Sequence, residues 1–169
     1  MPQGTLQVVL VSAKGLENTD FLFYSISALS GRSGYISMLL AVFRNMDPYV
    51  LLTCRTQEQK SSVASGKGSE PEWNENFEFN ISEGVSELKV KILDSDTGSQ
   101  DDFIGEVTIP LEPVFEGGHL PPTAYNVVKD ESYCGEIRIG LSFTPEEHQS
   151  RDYQVDESFG GWKQSTYTD

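Results

Sequence analysis

Residues 86–111 read SELKVKILDSDTGSQDDFIGEVTIPL. In the first part Leu88, Val90 and Ile92 share one face at period-two spacing, as in a half-buried strand. In the last part Phe103, Gly105, Val107 and Ile109 do the same. Between these two strands lies one loop carrying Asp94, Asp96, Asp101 and Asp102. The stretch therefore predicts a pair of core strands with a strongly acidic connection.

The same pattern recurs on both sides. GTLQVVLVSAKGL (residues 4–16) puts Leu6, Val8 and Leu10 on one face and ends at Gly15. DPYVLLTCR (47–55) enters a strand through Pro48, a first-strand position that proline tolerates. QKSSVASG (59–66) reads as a short polar strand followed by a glycine turn. PEWNENFEFNI (71–81) alternates Trp73, Glu75, Phe77 and Phe79 with polar residues. TAYNVVK (123–129) and CGEIRIGLSF (134–143) complete the set, the latter with Ile137, Ile139, Leu141 and Phe143 on one face. EPVF (112–115) has room for one helical turn. Eight short strands separated by Gly, Pro, Asp and Asn predict an all-β, antiparallel sandwich.

The chain has 169 residues, enough for one domain with a real core. Acids outnumber bases 26 to 12, for a formal charge of −14. Such a surface argues against free nucleic acid, whose phosphates need a basic face. An anionic membrane repels it too, unless a cation intervenes. The two cysteines, Cys54 and Cys134, do not form a disulfide framework. The start, MPQGTLQVVLVSAKG, lacks a basic region before an apolar run, so no signal peptide is read. From Pro145 onward the composition turns polar and acidic, predicting a mobile tail over 145–169.

The acidic loop is the chemical feature. Two carboxylates 4 Å apart repel by about 4 kcal/mol at an effective dielectric near 20. A fold that crowds them holds a cation or lets the loop spread in water. Oxygen-only ligands on a flexible, glycine-containing loop suit Ca²⁺ better than octahedral Mg²⁺. The competing reading is a solvated acidic turn. His119 and His148 have no metal-ligand spacing.

The ordered set MDPYV (46–50), EPEWNENFEF (70–79), ILDSD (92–96) and DDFIGE (101–106) resembles the C2 domain family from about Gly4 to Thr144. QEQKSSVASGKGSEPEWNE, YNVVKDE and GEIRIGLSFTPE resemble more closely the small single-C2 plant proteins described as elicitor-responsive. The resemblance implies an eight-stranded sandwich whose loops at one end bind Ca²⁺ and then acidic phospholipid. Because GEIRIGLSF comes last in the chain, it also implies the circularly permuted, type II topology. Carried over residue by residue, it implies metal ligands at Asp20, Asp47, Asp94, Asp96 and Asp102. Backbone carbonyls at Thr19 and Ser95 are secondary ligands, and Asp101 is an outer candidate. Lys60 and Lys67 fall near the strand pair where some C2 domains bind phosphoinositide, and are weighed there against ordinary solvated lysines.

One segment departs from that pattern. Asp20 and Asp47, which a handful of residues separate in the family, are here divided by residues 21–46. The excess, about residues 23–44, is an insertion in the first loop of a domain spanning 1–144. It includes the apolar run YISMLLAVF (35–43), too short for the ~20 residues of a membrane-spanning helix. Three readings follow, in order: a splicing passenger, a membrane-inserting loop tip, and a short helix packed on the domain. A long loop costs only about 0.6 kcal/mol per doubling, so the sandwich tolerates it. Since the insertion follows Asp20 directly, that ligand depends on it most.

The expected function is calcium-dependent phospholipid binding by a monomer. Such a protein moves from the cytoplasm to the plasma membrane when Ca²⁺ rises, in calcium or defence signalling. The alternative is a calcium-independent protein-interaction module. A hydrolase is a poor third, because no nucleophile–base pair or phosphate-binding glycine loop is present.

Overall fold

The computed structural model describes residues 2–17, 21–29, 35–43 and 46–147, with 21–29 and 35–43 described by their backbone. Its elements are β1 (Gly4–Lys14), β2 (Phe21–Leu29), β3 (Tyr35–Phe43), β4 (Pro48–Cys54), β5 (Gln57–Lys60), β6 (Glu72–Ile81), β7 (Glu87–Asp94) and β8 (Asp102–Pro110). A short helix α1 (Glu112–Gly117) leads to β9 (His119–Lys129) and β10 (Ser132–Pro145). Pro113 at the start of α1 has a fixed φ suited to a first helical turn, and Gly118 closes it at φ 75°.

Eight strands run in the order β5-β4-β7-β8-β9-β10-β1-β6, and every registered pair is antiparallel. β8 and β9 meet through one pair, Glu106 with Val128. The ladder thus divides into two four-stranded leaves at that junction, and their apolar faces enclose one core. Leu6, Val8 and Leu10 of β1 are fully buried, as are Leu88 and Ile92 of β7 and Ile137 and Ile139 of β10. Each such side chain contributes about 1.5–3 kcal/mol on leaving water. The last strand, β10, lies between β9 and the first strand, β1.

The structure corrects the sequence reading in three places. Ile92 pairs with Gly105 but Leu93 pairs with Phe103, so Ile104 is an extra residue in a bulge. Ile104 therefore enters the core at 1% exposure. Phe103, expected on the core face, is half-buried under Lys91 and Lys129, whose Nζ atoms lie 5.3 and 5.9 Å from its ring centre. The strand expected over QKSSVASG is β5, which begins earlier and ends at Lys60. From Ser61 the backbone leaves β5, while the Ser61 and Ala64 amides still donate to the Val50 and Pro48 carbonyls, at 2.9 Å each.

The third correction concerns the insertion. β2 and β3 pair residue for residue, from Phe21 with Phe43 to Leu29 with Tyr35, in a two-stranded sheet separate from the eight. The short-helix reading is therefore wrong for these residues. Phe21, Phe23, Tyr24, Ile26, Tyr35, Ile36, Val42 and Phe43 are aromatic or β-branched, types that favour strands. Of the expected tail, residues 148–169 lie outside the described residues. Among the described residues no helix is long and apolar enough to cross a membrane.

Candidate metal centre

Strand register brings three of the predicted aspartates to one end of the sandwich. Asp47 immediately precedes β4, whose Pro48 pairs with Asp94 at the end of β7. Asp94 in turn pairs with Asp102 at the start of β8. Asp96 and Asp101 sit in the connection between those two strands.

Asp94 anchors this end. It is 1% exposed, and its Oδ1 accepts a 2.7 Å hydrogen bond from the Asp47 amide. The Ser95 amide donates back to the Asp47 carbonyl at 3.0 Å. The two strand ends are thereby clamped in both directions. A buried carboxylate needs such donors, since burying an uncompensated charge costs several kcal/mol.

The other carboxylates have their own partners. Asp47 Oδ1 accepts from the Gly66 amide and, at 3.3 Å, from the Ser65 hydroxyl. Asp101 Oδ1 accepts from the Asp96 amide at 3.1 Å, and its Oδ2 accepts from the Tyr49 hydroxyl at 2.6 Å. The Tyr49 hydrogen bond, the Asp96 amide and the Lys60 charge hold the Asp101 carboxyl below the usual range, against a smaller desolvation effect. Burial, with the Asp101 bond and charge, pushes the Tyr49 phenol up to about 12. Asp96 is half-buried and Asp102 exposed.

Asp47 turns its carboxylate to the 65–66 segment and Asp101 to Tyr49. Among the described residues no three His, Cys, Asp or Glu side chains gather closely enough to hold a metal ion. Asp47, Asp94 and Asp102 share a sheet end, Asp96 and Asp101 share a loop, and Asp20 and Thr19 lie outside the described residues. Ser95 is half-buried beside Asp94. Lys60 is exposed on β5 with its Nζ 4.0 Å from the Tyr49 ring centre. Lys67 is exposed in the following loop, where its amide donates to the Ala64 carbonyl at 3.3 Å. Sequence reasoning missed Tyr49, Ser65 and Gly66 as neighbours of the acids. Only Tyr49 carried any signal, as part of MDPYV. The donor set at this end is oxygen only, which fits a hard cation such as Ca²⁺ rather than a thiolate- or imidazole-seeking metal.

A sequence model of the C2 domain matches residues 4–127. The chain is 59% identical over 165 residues to the 16 kDa phloem protein 2 of Arabidopsis thaliana, covering 98% of this chain and 97% of that protein. It is 54% identical over 166 residues to elicitor-responsive protein 3 of Oryza sativa, covering 98% and 100%. Among solved structures, a C2 domain-containing protein from a putative elicitor-responsive gene is 58% identical with a TM-score of 0.67, covering 88% of this chain and 94% of that one. The calcium-bound tandem C2 domains of Extended-Synaptotagmin 2 are 26% identical with a TM-score of 0.64, covering 85% and 46%.

Proposed function

The chain belongs to the C2 domain family, and from that premise we propose that it is a calcium-dependent phospholipid-binding module rather than an enzyme. The observation that carries the reading is the clamp between Asp47 and Asp94. It fixes the ends of β4 and β7 and sets one buried and one half-buried carboxylate beside the loop that holds Asp96 and the start of β8 at Asp102. These four would hold Ca²⁺, with Asp20 as the fifth side chain and the Thr19 and Ser95 carbonyls as secondary ligands. The placement of β10 beside β1 supports the type II topology.

Bound Ca²⁺ would offset the carboxylate charge and offer coordination positions to lipid phosphate or carboxylate. The chain's own part is to bring these acidic residues to one end of the sandwich, where a bound cation would draw their carboxylates inward. Without a cation this acidic end repels an anionic bilayer, and the net charge of −14 deepens the repulsion. Lys60 and Lys67, exposed near that end, are the secondary lipid contacts of this reading. The protein would thus move as a monomer from the cytoplasm to the plasma membrane when Ca²⁺ rises. A role in defence signalling is supported by the name of the elicitor-responsive relative.

Sedimentation of the full chain with phosphatidylserine liposomes tests the reading. Pelleting with CaCl₂ and none with chelator is expected, and equal pelleting in both refutes it. A calcium-independent protein-interaction module is the second reading. It is favoured by the Asp47 and Asp101 carboxylates already being hydrogen-bonded within the chain. A calorimetric titration with CaCl₂ separates the two, since absence of heat supports the second.

A further inference from the structure

Asp101 stands among the acidic residues as an outer metal-ligand candidate, but its geometry describes a different task. Oδ1 is occupied by the Asp96 amide and Oδ2 by the Tyr49 hydroxyl. Tyr49 is 5% exposed and belongs to β4, two residues beyond Asp47, where pairing with Leu93 of β7 fixes the backbone from which its hydroxyl reaches the loop. Lys60 covers the other side, with its Nζ over the Tyr49 ring, and its charge acts favourably on the Asp101 carboxylate. A chain of contacts therefore runs from β5 through β4 into the acidic loop. It ends on the backbone of Asp96. The rest of that loop is loosely built: residues 97–100 are exposed, and Gly98 takes φ +90°.

We infer that Tyr49 is a positioning residue for the calcium site, and that Asp101 is the strut through which it acts rather than a ligand of the ion. Held by Tyr49, Asp101 fixes the Asp96 amide and so the fold of the loop between Asp94 and Asp102. Lys60 offsets the strut's charge, so that a sixth carboxylate does not add its full repulsion to the ligands. The strut itself rests only on the hydrogen bonds; its consequence for the ion rests on the calcium reading.

The test uses the full chain, Tyr49→Phe, Asp101→Ala and the double variant, each checked for cooperative thermal unfolding. Two quantities are measured: exchange of the Asp96 amide in metal-free protein by NMR, and CaCl₂ affinity by calorimetry. Tyr49→Phe, which loses one hydrogen bond, is expected to speed Asp96 exchange and weaken Ca²⁺ binding, both by about three- to tenfold, and Asp101→Ala, which loses two, by at least as much. The double variant should be no worse than Asp101→Ala alone, because Tyr49 acts through that carboxylate. Unchanged Asp96 exchange in Tyr49→Phe overturns the strut. Tyr49→Phe that binds Ca²⁺ equally or more tightly, while Asp101→Ala binds it weakly, makes Asp101 a ligand and also overturns it. If the unaltered chain gives no heat with CaCl₂, the calcium reading fails, and Asp96 exchange still decides whether the strut exists.

Discussion

The Asp47 amide and the Asp94 carboxylate face each other across 2.7 Å at the ends of two neighbouring strands, with Asp94 almost wholly removed from solvent. This bond gives Asp94 two separable duties. One is structural, as the acceptor for an amide; the other is its negative charge. Asp94→Ala removes both and leaves the Asp47 amide without that acceptor, a loss of about 1–3 kcal/mol. Asp94→Asn retains an amide oxygen that can accept the bond and removes the charge. Urea unfolding is expected to show a clear loss for Asp94→Ala and a smaller one for Asp94→Asn. Calcium-dependent liposome pelleting is expected to be lost in both. Pelleting by Asp94→Asn at the unaltered level would remove Asp94 from the ligand set.

How much of this was legible can be judged residue by residue. Leu6, Val8 and Leu10, or Leu88, Val90 and Ile92, announce their strands because alternate positions must face one core. The bulge at Ile104 leaves no such mark, since an extra apolar residue beside Phe103 fits either face until the partner strand sets the register. β5 is polar throughout and only half-buried at alternate positions, so no apolar face marks its limits. The run 35–43 is apolar without clear period, which suits a strand or a buried helix equally. At the site, the acids were visible as residue types at given spacings. Their partners were not, because Tyr49 lies 52 residues from Asp101, and Gly66 lies 19 from Asp47. Contacts at that separation follow from tertiary register alone.

Gly105 fills a position on β8 where a side chain has no room. A Cβ there would lie 2.5 Å from Val127 Cγ1 and 2.7 Å from Cys134 Sγ, and both neighbours belong to the core. Gly105→Ala should therefore cost about 1–3 kcal/mol through overpacking. At about 2–4 °C per kcal/mol for a chain of this size, the melting temperature should fall by several degrees. Gly117→Ala is the control, for its Cβ would meet nothing within 4 Å. Thermal unfolding followed by circular dichroism should show a drop for the first and almost none for the second.

The Tyr49–Asp101 pair carries a pH dependence with a definite sign. The folded Tyr49 pKa, about 12, lies above its ordinary value of 10.0. Its contribution to stability is thus complete below pH 10 and is lost as pH rises through 12. Asp101 has the opposite dependence. Its folded pKa is lowered, so its contribution is present above the ordinary carboxylate range and is lost as pH falls through the folded value. Ultraviolet titration of the phenols should show a late step near pH 12 in the unaltered chain that shrinks by one phenol in Tyr49→Phe, while Tyr125, raised by its own burial, is unchanged. A late step of the same size in both proteins would assign it to another tyrosine.

The β2–β3 hairpin invites a deletion. Neither strand contains a charged residue, and the two pair with each other rather than with the eight-stranded ladder. Uncharged strand edges of this kind favour pairing with other chains, and a lone hairpin is marginal in water. Removing residues 23–44 shortens the connection between β1 and β4 without touching any ladder pair of the sandwich. The change in closure entropy is slight, at about 0.6 kcal/mol per halving of the loop. The shortened chain is therefore expected to unfold cooperatively at a midpoint equal to or above that of the full chain. It should also run as a sharper monomer peak on size exclusion. Calcium-dependent pelleting with liposomes should be unchanged or stronger, because Asp20 and Asp47 come closer together in the chain while Asp94, Asp96 and Asp102 are untouched. Loss of pelleting with the fold intact would instead make the hairpin the part that enters the lipid.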